Sequence, residues 1–300
     1  MKQEKKPGLI VMGLGILSSI LALLAVHKSY SMFPDLNIMG WYANFVIPVG
    51  AILVGACAGC GYGIGSWVTQ TRLTKSTLIV ICLVQIAVYF AGRYIEYSSF
   101  NPVHPDTGAS VPFFVYYDYV VQSMGWLNKD GTPGEPFGLW GYGINFLDVS
   151  GFSLAGIFFP AIMMKIPYCS HCQKYMKQTV LTEIPFGVVP RKVKKGDIEE
   201  SQKLEDEMDE AIKIGNEKLA ELTQVMTAGD YSALKNLLSE INNHKELAKK
   251  VNAKISIKTV KCNGCHTGYA QPVVVVKNGD QVEESELEKI VLTADLVRYI

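Results

Sequence analysis

Cys169-Ser170-His171-Cys172 ends an apolar stretch of membrane character and opens a charged, water-soluble one, and its reading decides the fold. A second pair at the same spacing, Cys262-Asn263-Gly264-Cys265, follows a long helical stretch. Two Cys-x-x-Cys pairs supply four thiolates, the number that a tetrahedral structural zinc takes. The expected fold is a membrane all-α four-helix bundle over 1–166, followed by a soluble α+β zinc-ribbon-like domain over 167–300. Residues 173–261 separate the pairs, far more than a compact ribbon needs. A helical-hairpin insertion over 197–250 accounts for the excess, and strand-like sequence adjoins each pair, from Gln178 onward and up to Val260.

The pattern has two rivals. Cys262-Asn263-Gly264-Cys265-His266 also fits c-type haem attachment, and either pair could be a thiol–disulfide couple. The haem reading leaves the first pair unexplained, and two matched pairs weaken the redox reading. His171 and His266 read as neighbours of the metal ligands Cys169, Cys172, Cys262 and Cys265 rather than as ligands themselves. The total of seven cysteines is odd, which argues against a simple disulfide framework and fits reduced thiols.

Along the chain, 49% hydrophobic residues and a net charge of zero are unevenly distributed, with long apolar runs from Pro7 to Met164 and Lys and Glu frequent from Lys165 onward. The balanced charge gives no support to nucleic-acid binding as the main task. A basic leader, Met1–Lys6, precedes an uncharged run from Leu9 to Val26 that is long enough to cross a bilayer. No small-x-small cleavage site follows it, so it reads as a retained span. The second span lies within Gly40 to Val68, where Ala51, Gly55, Gly59 and Gly63 recur every four residues and invite close helix packing. Thr77 to Tyr97 forms the third span and Gly143 to Met164 the fourth, with a kink expected at Pro160. Between them, 98–141 is an outer loop rich in aromatic residues. Ser110 reads there as an N-cap, and Phe113 to Trp126 as a helix lying at the membrane interface. Arg72, Lys75, Lys165, Lys174 and Lys177 share a side with the leader, so both termini are expected in the cytoplasm of a bacterial inner (cell) membrane protein.

Past Lys165, Gln178 to Val189 reads as one or two short strands around Pro185, and Asp197 as the cap of a helix. That helix carries an apolar stripe from Leu204 and Met208 to Leu222 and Met226. Gly229 stops it, and Asp230 caps a second helix with Leu234, Leu237, Leu238 and Ile241 facing inward. Ala253 to Lys261 alternates as a strand and Tyr269 to Lys277 reads as another, joined to a short strand and helix by a turn at Asn278-Gly279-Asp280.

Within the spans, Asp148 needs an explanation, because an intramembrane carboxylate is costly. It is read as interfacial or ion-paired with Arg93 near the end of the third span. The sharper reading is a polar site shared by Arg93, Glu96, Asp148 and Asn145. Cys57 and Cys60 lie on the Gly-rich span and read as small packing residues, with a membrane redox pair as the alternative. His104-Pro105-Asp106 reads as loop.

The Gly-rich second span, the segment Phe137-Gly138-Leu139-Trp140-Gly141-Tyr142-Gly143 and the run Tyr168 to Met176 resemble bacterial four-span membrane proteins with a cytosolic zinc-ribbon domain. The resemblance implies architecture and carries no activity with it. The expected function is a membrane-anchored interaction, scaffold or sensor module with structural zinc, the lipid bilayer and a cytoplasmic protein as its partners, and room for a homo-oligomer. A thiol-redox or electron-transfer protein is the alternative, and a small transporter comes third. No nucleophile–base constellation or nucleotide motif is visible, which disfavours an enzyme.

Overall fold

A computed structural model describes residues 7–32, 38–43, 47–104, 107–126, 132, 134–191, 198–278 and 281–300. The basic leader, Pro105-Asp106, most of the Asn128–Gly134 turn, the Asp197 cap and Gly279-Asp280 lie outside them. The chain divides into two compact units, Met1–Ile166 and Pro167–Ile300.

The first unit is helical: α1 (Pro7–Met32), α2 (Val49–Thr69), α3 (Lys75–Phe100), α4 (Phe113–Ser123), α5 (Trp140–Gly156) and α6 (Phe158–Lys165). Four stretches are long and apolar enough to cross a membrane: Gly8–Ser29, Val49–Thr69, Lys75–Phe100 and Trp140–Lys165. The second is mostly buried within the unit while the other three are mostly exposed, so α2 is the central helix. Its glycines explain the position. A Cβ on Gly55 would stand 2.2 Å from the Phe152 carbonyl oxygen, and one on Gly59 only 1.8 Å from that of Gly156. On another face, the Ser18 hydroxyl of α1 donates to the Ala58 carbonyl at 2.6 Å and accepts from the Gly61 N–H. Small residues let helices approach until backbone meets backbone, the packing that serves where no hydrophobic effect separates helix from solvent.

The fourth apolar stretch, Trp140–Lys165, carries the expected proline irregularity at Ile157, between α5 and α6, while helical bonds run on through it from Ile157 N–H to Ser153 and from Ala161 N–H to Ile157. Pro160 has no N–H to return to the Gly156 carbonyl, so the break falls one turn before the proline. One local expectation needs correction: Ser110 is not an N-cap, since it forms a β-bridge with Val103, and Pro112 occupies the N-cap position of α4 without a side-chain cap. A better cap lies on α3, where the Thr74 hydroxyl accepts from the Thr77 N–H at 3.2 Å.

The second unit begins with a short hairpin, β1 (Tyr168–Cys169) and β2 (Lys174–Tyr175). A five-stranded antiparallel sheet follows, in the order β3-β4-β5-β6 with β7 also on β5. Its strands are β3 (Lys177–Pro185), β4 (Ala253–Lys261), β5 (Gly268–Asn278), β6 (Gln281–Glu286) and β7 (Ile290–Leu292). The segment after Lys177 is thus one strand, ending at Pro185, with a bulge between Val180 and Thr182. Between β3 and β4 come α7 (Ile198–Ala228), α8 (Tyr231–Asn243) and α9 (Lys245–Lys250); α10 (Ala294–Tyr299) ends the unit.

Gly229, at φ +73°, stops α7, and Asp230 caps α8 by accepting from the Ala233 N–H at 3.0 Å. Lys218 then reaches Glu240 at 2.8 Å, each residue lying three turns from the reversal, so α7 and α8 run antiparallel. Leu222, Met226, Leu234, Leu237 and Ile241 meet Ile184, Ile255 and Ile257 of the sheet in one core. The apolar stripe of α7 is buried only in its second half: Leu204 is half-buried and Met208 exposed. Pro272 sits inside β5 where pairing passes from β7 to β6, a gap in which no N–H is required of it.

Gly59→Val is expected to abolish the cooperative thermal transition of the detergent-solubilised bundle, because backbone cannot retreat from the added Cβ. Gly13→Ala, with nothing within 4 Å, should stay within about 0.5 kcal/mol of the parent. Thermal melts of the two variants against the parent chain check this contrast.

Candidate functional site

The two Cys-x-x-Cys pairs sit in the turns of two antiparallel hairpins. Cys169 and Cys172 occupy the β1–β2 turn, and Cys262 and Cys265 the β4–β5 turn. Their four sulfur atoms all lie within 4.8 Å of one another, a group able to hold a metal ion. Cys169 Sγ is 3.6 Å from Cys265 Sγ. A tetrahedral tetrathiolate with metal–sulfur bonds of ~2.3 Å needs sulfur–sulfur separations of about 3.8 Å, so the spacing fits one ion.

The two turns share a backbone device. The residue after the second cysteine adopts a left-handed conformation in each, Gln173 at φ +52° and His266 at φ +55°. This lets the chain reverse immediately behind the thiol. In the second turn, Cys262 N–H donates to the Thr267 carbonyl at 2.9 Å and His266 N–H to the Cys262 carbonyl at 3.0 Å. The Gly264 N–H points to Cys262 Sγ at 3.4 Å. A Cβ on Gly264 would stand 2.9 Å from Cys172 Sγ, so the glycine makes room for the opposing turn.

Cys169 and Cys262 are buried and Cys172 and Cys265 half-buried. The Thr267 hydroxyl, 3.0 Å from Cys265 Sγ, holds that thiol down at about 6. The bond from Cys172 to Cys265 pushes the Cys172 thiol up to about 12. Thr267 thus favours the ionised form of Cys265 while Cys172 holds its proton more firmly, and a cation that took all four sulfurs would displace the protons still bound.

The first unit holds a second cluster. The Arg93 guanidinium donates from Nε at 3.2 Å and Nη2 at 3.1 Å to the Tyr89 hydroxyl, and from Nη1 at 3.0 Å to Glu96. Tyr89 donates on to Asn145 Oδ1 at 3.1 Å. Asp148 is 2% exposed; its Oδ1 accepts from the Tyr42 hydroxyl at 2.5 Å, and its Oδ2 lies 3.8 Å from Arg93 Nη2. Arg93, Glu96, Asp148 and Asn145 are therefore brought together, with Arg93 bonded to Glu96 and only near Asp148.

Tyr42 and Tyr89 are the members that the sequence reading missed. Tyr89 lies one turn before Arg93 on α3, so helical spacing could have found it. Tyr42 reaches Asp148 from an irregular segment 106 residues away, and no local signal marks that meeting. Deeper in the bundle, Gln85 donates to Ser19 at 3.2 Å, while Gln85 Oε1 and the Tyr62 hydroxyl are buried without partners among the described residues. Cys57 and Cys60 are on α2 and Cys82 on α3, all free and outside the thiol cluster. His171 Nδ1 is 3.8 Å from Cys172 Sγ, beside the cluster.

Fold and site together define an apolar helical bundle joined to an antiparallel sheet unit that carries a four-thiol, metal-capable centre. Comparisons with protein-family models, with curated proteins and with solved structures give no match.

Gln173→Gly and His266→Gly are expected to keep or raise stability, since glycine adopts the left-handed conformation without a Cβ penalty. Val at either position should destabilise, by about 1–2 kcal/mol. Chemical denaturation of the metal-loaded chain measures both. In the bundle, Arg93→Leu removes the cation that bonds the half-buried Glu96 and lies near the buried Asp148, and should cost about 3 kcal/mol. Arg93→Leu combined with Asp148→Leu should cost less than the two single losses added, in a double-mutant cycle read from thermal melts.

Proposed function

We propose that this chain is a membrane-anchored interaction module whose β unit is stapled by one structural zinc ion. The observation that carries the reading is the convergence of four thiols, from turns far apart in sequence, to within 4.8 Å. Such a donor set is soft and all-sulfur, which favours zinc over harder cations. Cys169, Cys172, Cys262 and Cys265 would hold it, closing the loop that contains β3 and the helical insertion. The ion then supplies folding free energy directly, because no preformed site exists in the unfolded chain. With all four positions taken by protein sulfur, the centre is of the closed, structural kind.

Four long apolar helices support membrane anchoring, as do their outward side chains, among them Leu9, Ile16, Leu83 and Leu154, which are all large and apolar. Four crossings put the start of α1, the α2–α3 connection with Arg72 and the end of α6 at Lys165 on one side. Basic residues near these ends favour the cytoplasmic side of a bacterial inner membrane for them. The β unit then faces a cytoplasmic protein partner. α4 adds an interfacial element, with Phe114, Val115 and Tyr119 exposed.

Both thiol pairs are used at once in the cluster, which neither haem attachment nor a redox pair requires. The thiol-redox alternative thus rests on Cys57 and Cys60, where Cys57 is exposed on the outer face of α2.

Metal analysis of the purified full-length chain is the test. One zinc per chain is expected. Cys→Ser at any of the four positions should reduce the content, and chelation should speed proteolysis beyond Pro167. A metal-free chain with the same melting behaviour and proteolytic pattern overturns the reading.

A further inference from the structure

The polar cluster of the bundle has a charge imbalance that its hydrogen bonds do not cancel. Arg93 contributes one positive charge, and Glu96 and Asp148 one negative charge each. The groups that face Asp148 from every packed element are few. Tyr42 comes from the segment before α2, and Tyr89, Arg93 and Glu96 come from α3. The Tyr117 hydroxyl of α4 is buried without a partner among the described residues, and α2 brings no ionisable group except tyrosine and cysteine. His27 of α1 lines a cavity of about 40 Å³ with Arg93, Glu96 and Tyr89. No second fixed cation faces the site among the described residues. With both carboxylates ionised, a net negative charge would lie in an apolar bundle, which is costly.

Two ligands could neutralise it, a monovalent metal cation or a proton. A metal cation needs several oxygen donors around it. Here Asp148 Oδ1 already accepts from Tyr42, and Asn145 Oδ1 already accepts from Tyr89. A proton needs one free oxygen, and Asp148 Oδ2 is one: its nearest cation, Arg93 Nη2, is 3.8 Å away, beyond hydrogen-bond length. Meanwhile Arg93 is committed elsewhere, to Tyr89 and Glu96.

We propose that Asp148 is a proton-binding site, which takes up one proton from water at Oδ2. The O–H bond formed leaves a neutral carboxyl, and the Arg93–Glu96 pair is then neutral by itself. On release the proton returns to water, and the carboxylate draws the Arg93 guanidinium across the 3.8 Å gap, away from Glu96. The cavity lined by Arg93 and Glu96 has room for water beside the guanidinium whose Nη2 lies 3.8 Å from Asp148 Oδ2. Tyr42 carries the change outward, since it holds Oδ1 and its ring packs edge-on against Trp126 at 5.5 Å. The site does not depend on zinc and extends the module reading with a signal that the bundle could receive.

The test is infrared difference spectroscopy on the full chain in lipid nanodiscs, titrated between about pH 6 and 9, where water-exposed carboxylates are already ionised. A protonated-carboxyl C=O band should disappear as pH rises, be absent from Asp148→Asn and persist in Glu96→Gln. Should Asp148→Asn fail to assemble, carbon-13 labelling of aspartate in the parent chain must shift the band. Tryptophan fluorescence should follow the same titration, and Trp126→Phe should remove that change. A band that is missing throughout the window, or one that survives in Asp148→Asn, overturns the proposal. Loss of the band in Glu96→Gln alone assigns the proton to Glu96 and also overturns it. Flotation of the chain with membranes tests anchoring separately, so a chain that floats but shows no Asp148 band defeats the proton site only.

Discussion

Contact between backbones on two faces of α2 is the constraint on which the bundle depends. Gly55 and Gly59 admit the carbonyls of α5 at a distance that leaves no space for a Cβ, and Gly61 admits α1 on another face. Such contact is short-ranged and tolerates little displacement, so it fixes the depth and rotation of both neighbours together. The break at Ile157 belongs to the same arrangement. The Gly156 carbonyl, which Pro160 cannot engage, is the atom that Gly59 meets.

Once the helices are placed in this way, polar groups on different helices meet without a choice of partners. Ser18 and Ser19 reach the backbone of α2, Gln85 reaches Ser19, and Arg93 gathers Tyr89 and Glu96 near Asp148. Polar groups shielded from water are costly unless bonded, so these networks select one packing over its neighbours in register. Among the described residues, Gln85 Oε1 and the hydroxyls of Tyr62 and Tyr117 in this unit, like Gln271 Oε1 on β5 in the other, are buried without partners. Departures from full satisfaction of this kind mark the places where water or a ligand has something to bind.

The second unit is held by a different logic. Its core joins residues from α7 and α8 to β3 and β4, strands that the helical insertion separates by about half of the unit's length. The β3–β4 ladder runs from Lys177↔Lys261 to Pro185↔Lys254 and returns the chain to the β1–β2 hairpin. The thiols converge because strand pairing brings their turns to the same end of the sheet. An ion bound there would reinforce a closure that hydrogen bonding already specifies.

Local chemistry made much of this legible in the sequence alone. The four apolar stretches, the glycine register of α2, the Gly229–Asp230 stop and cap, and the alternation of Ala253 to Lys261 each depend on residues within one or two turns of each other. The thiol spacing is local in the same sense, but the left-handed turns behind Cys172 and Cys265 were not legible, because no glycine marks them. Tertiary structure alone decided the rest. Tyr42 meets Asp148, Arg93 prefers Glu96, and the first half of α7 stays exposed despite its apolar stripe, because burial and pairing there depend on which element lies opposite. The sequence states what each residue can do with its neighbours along the chain. Which distant group arrives within reach is set by packing, where a displacement of a single ångström separates a hydrogen bond from a gap.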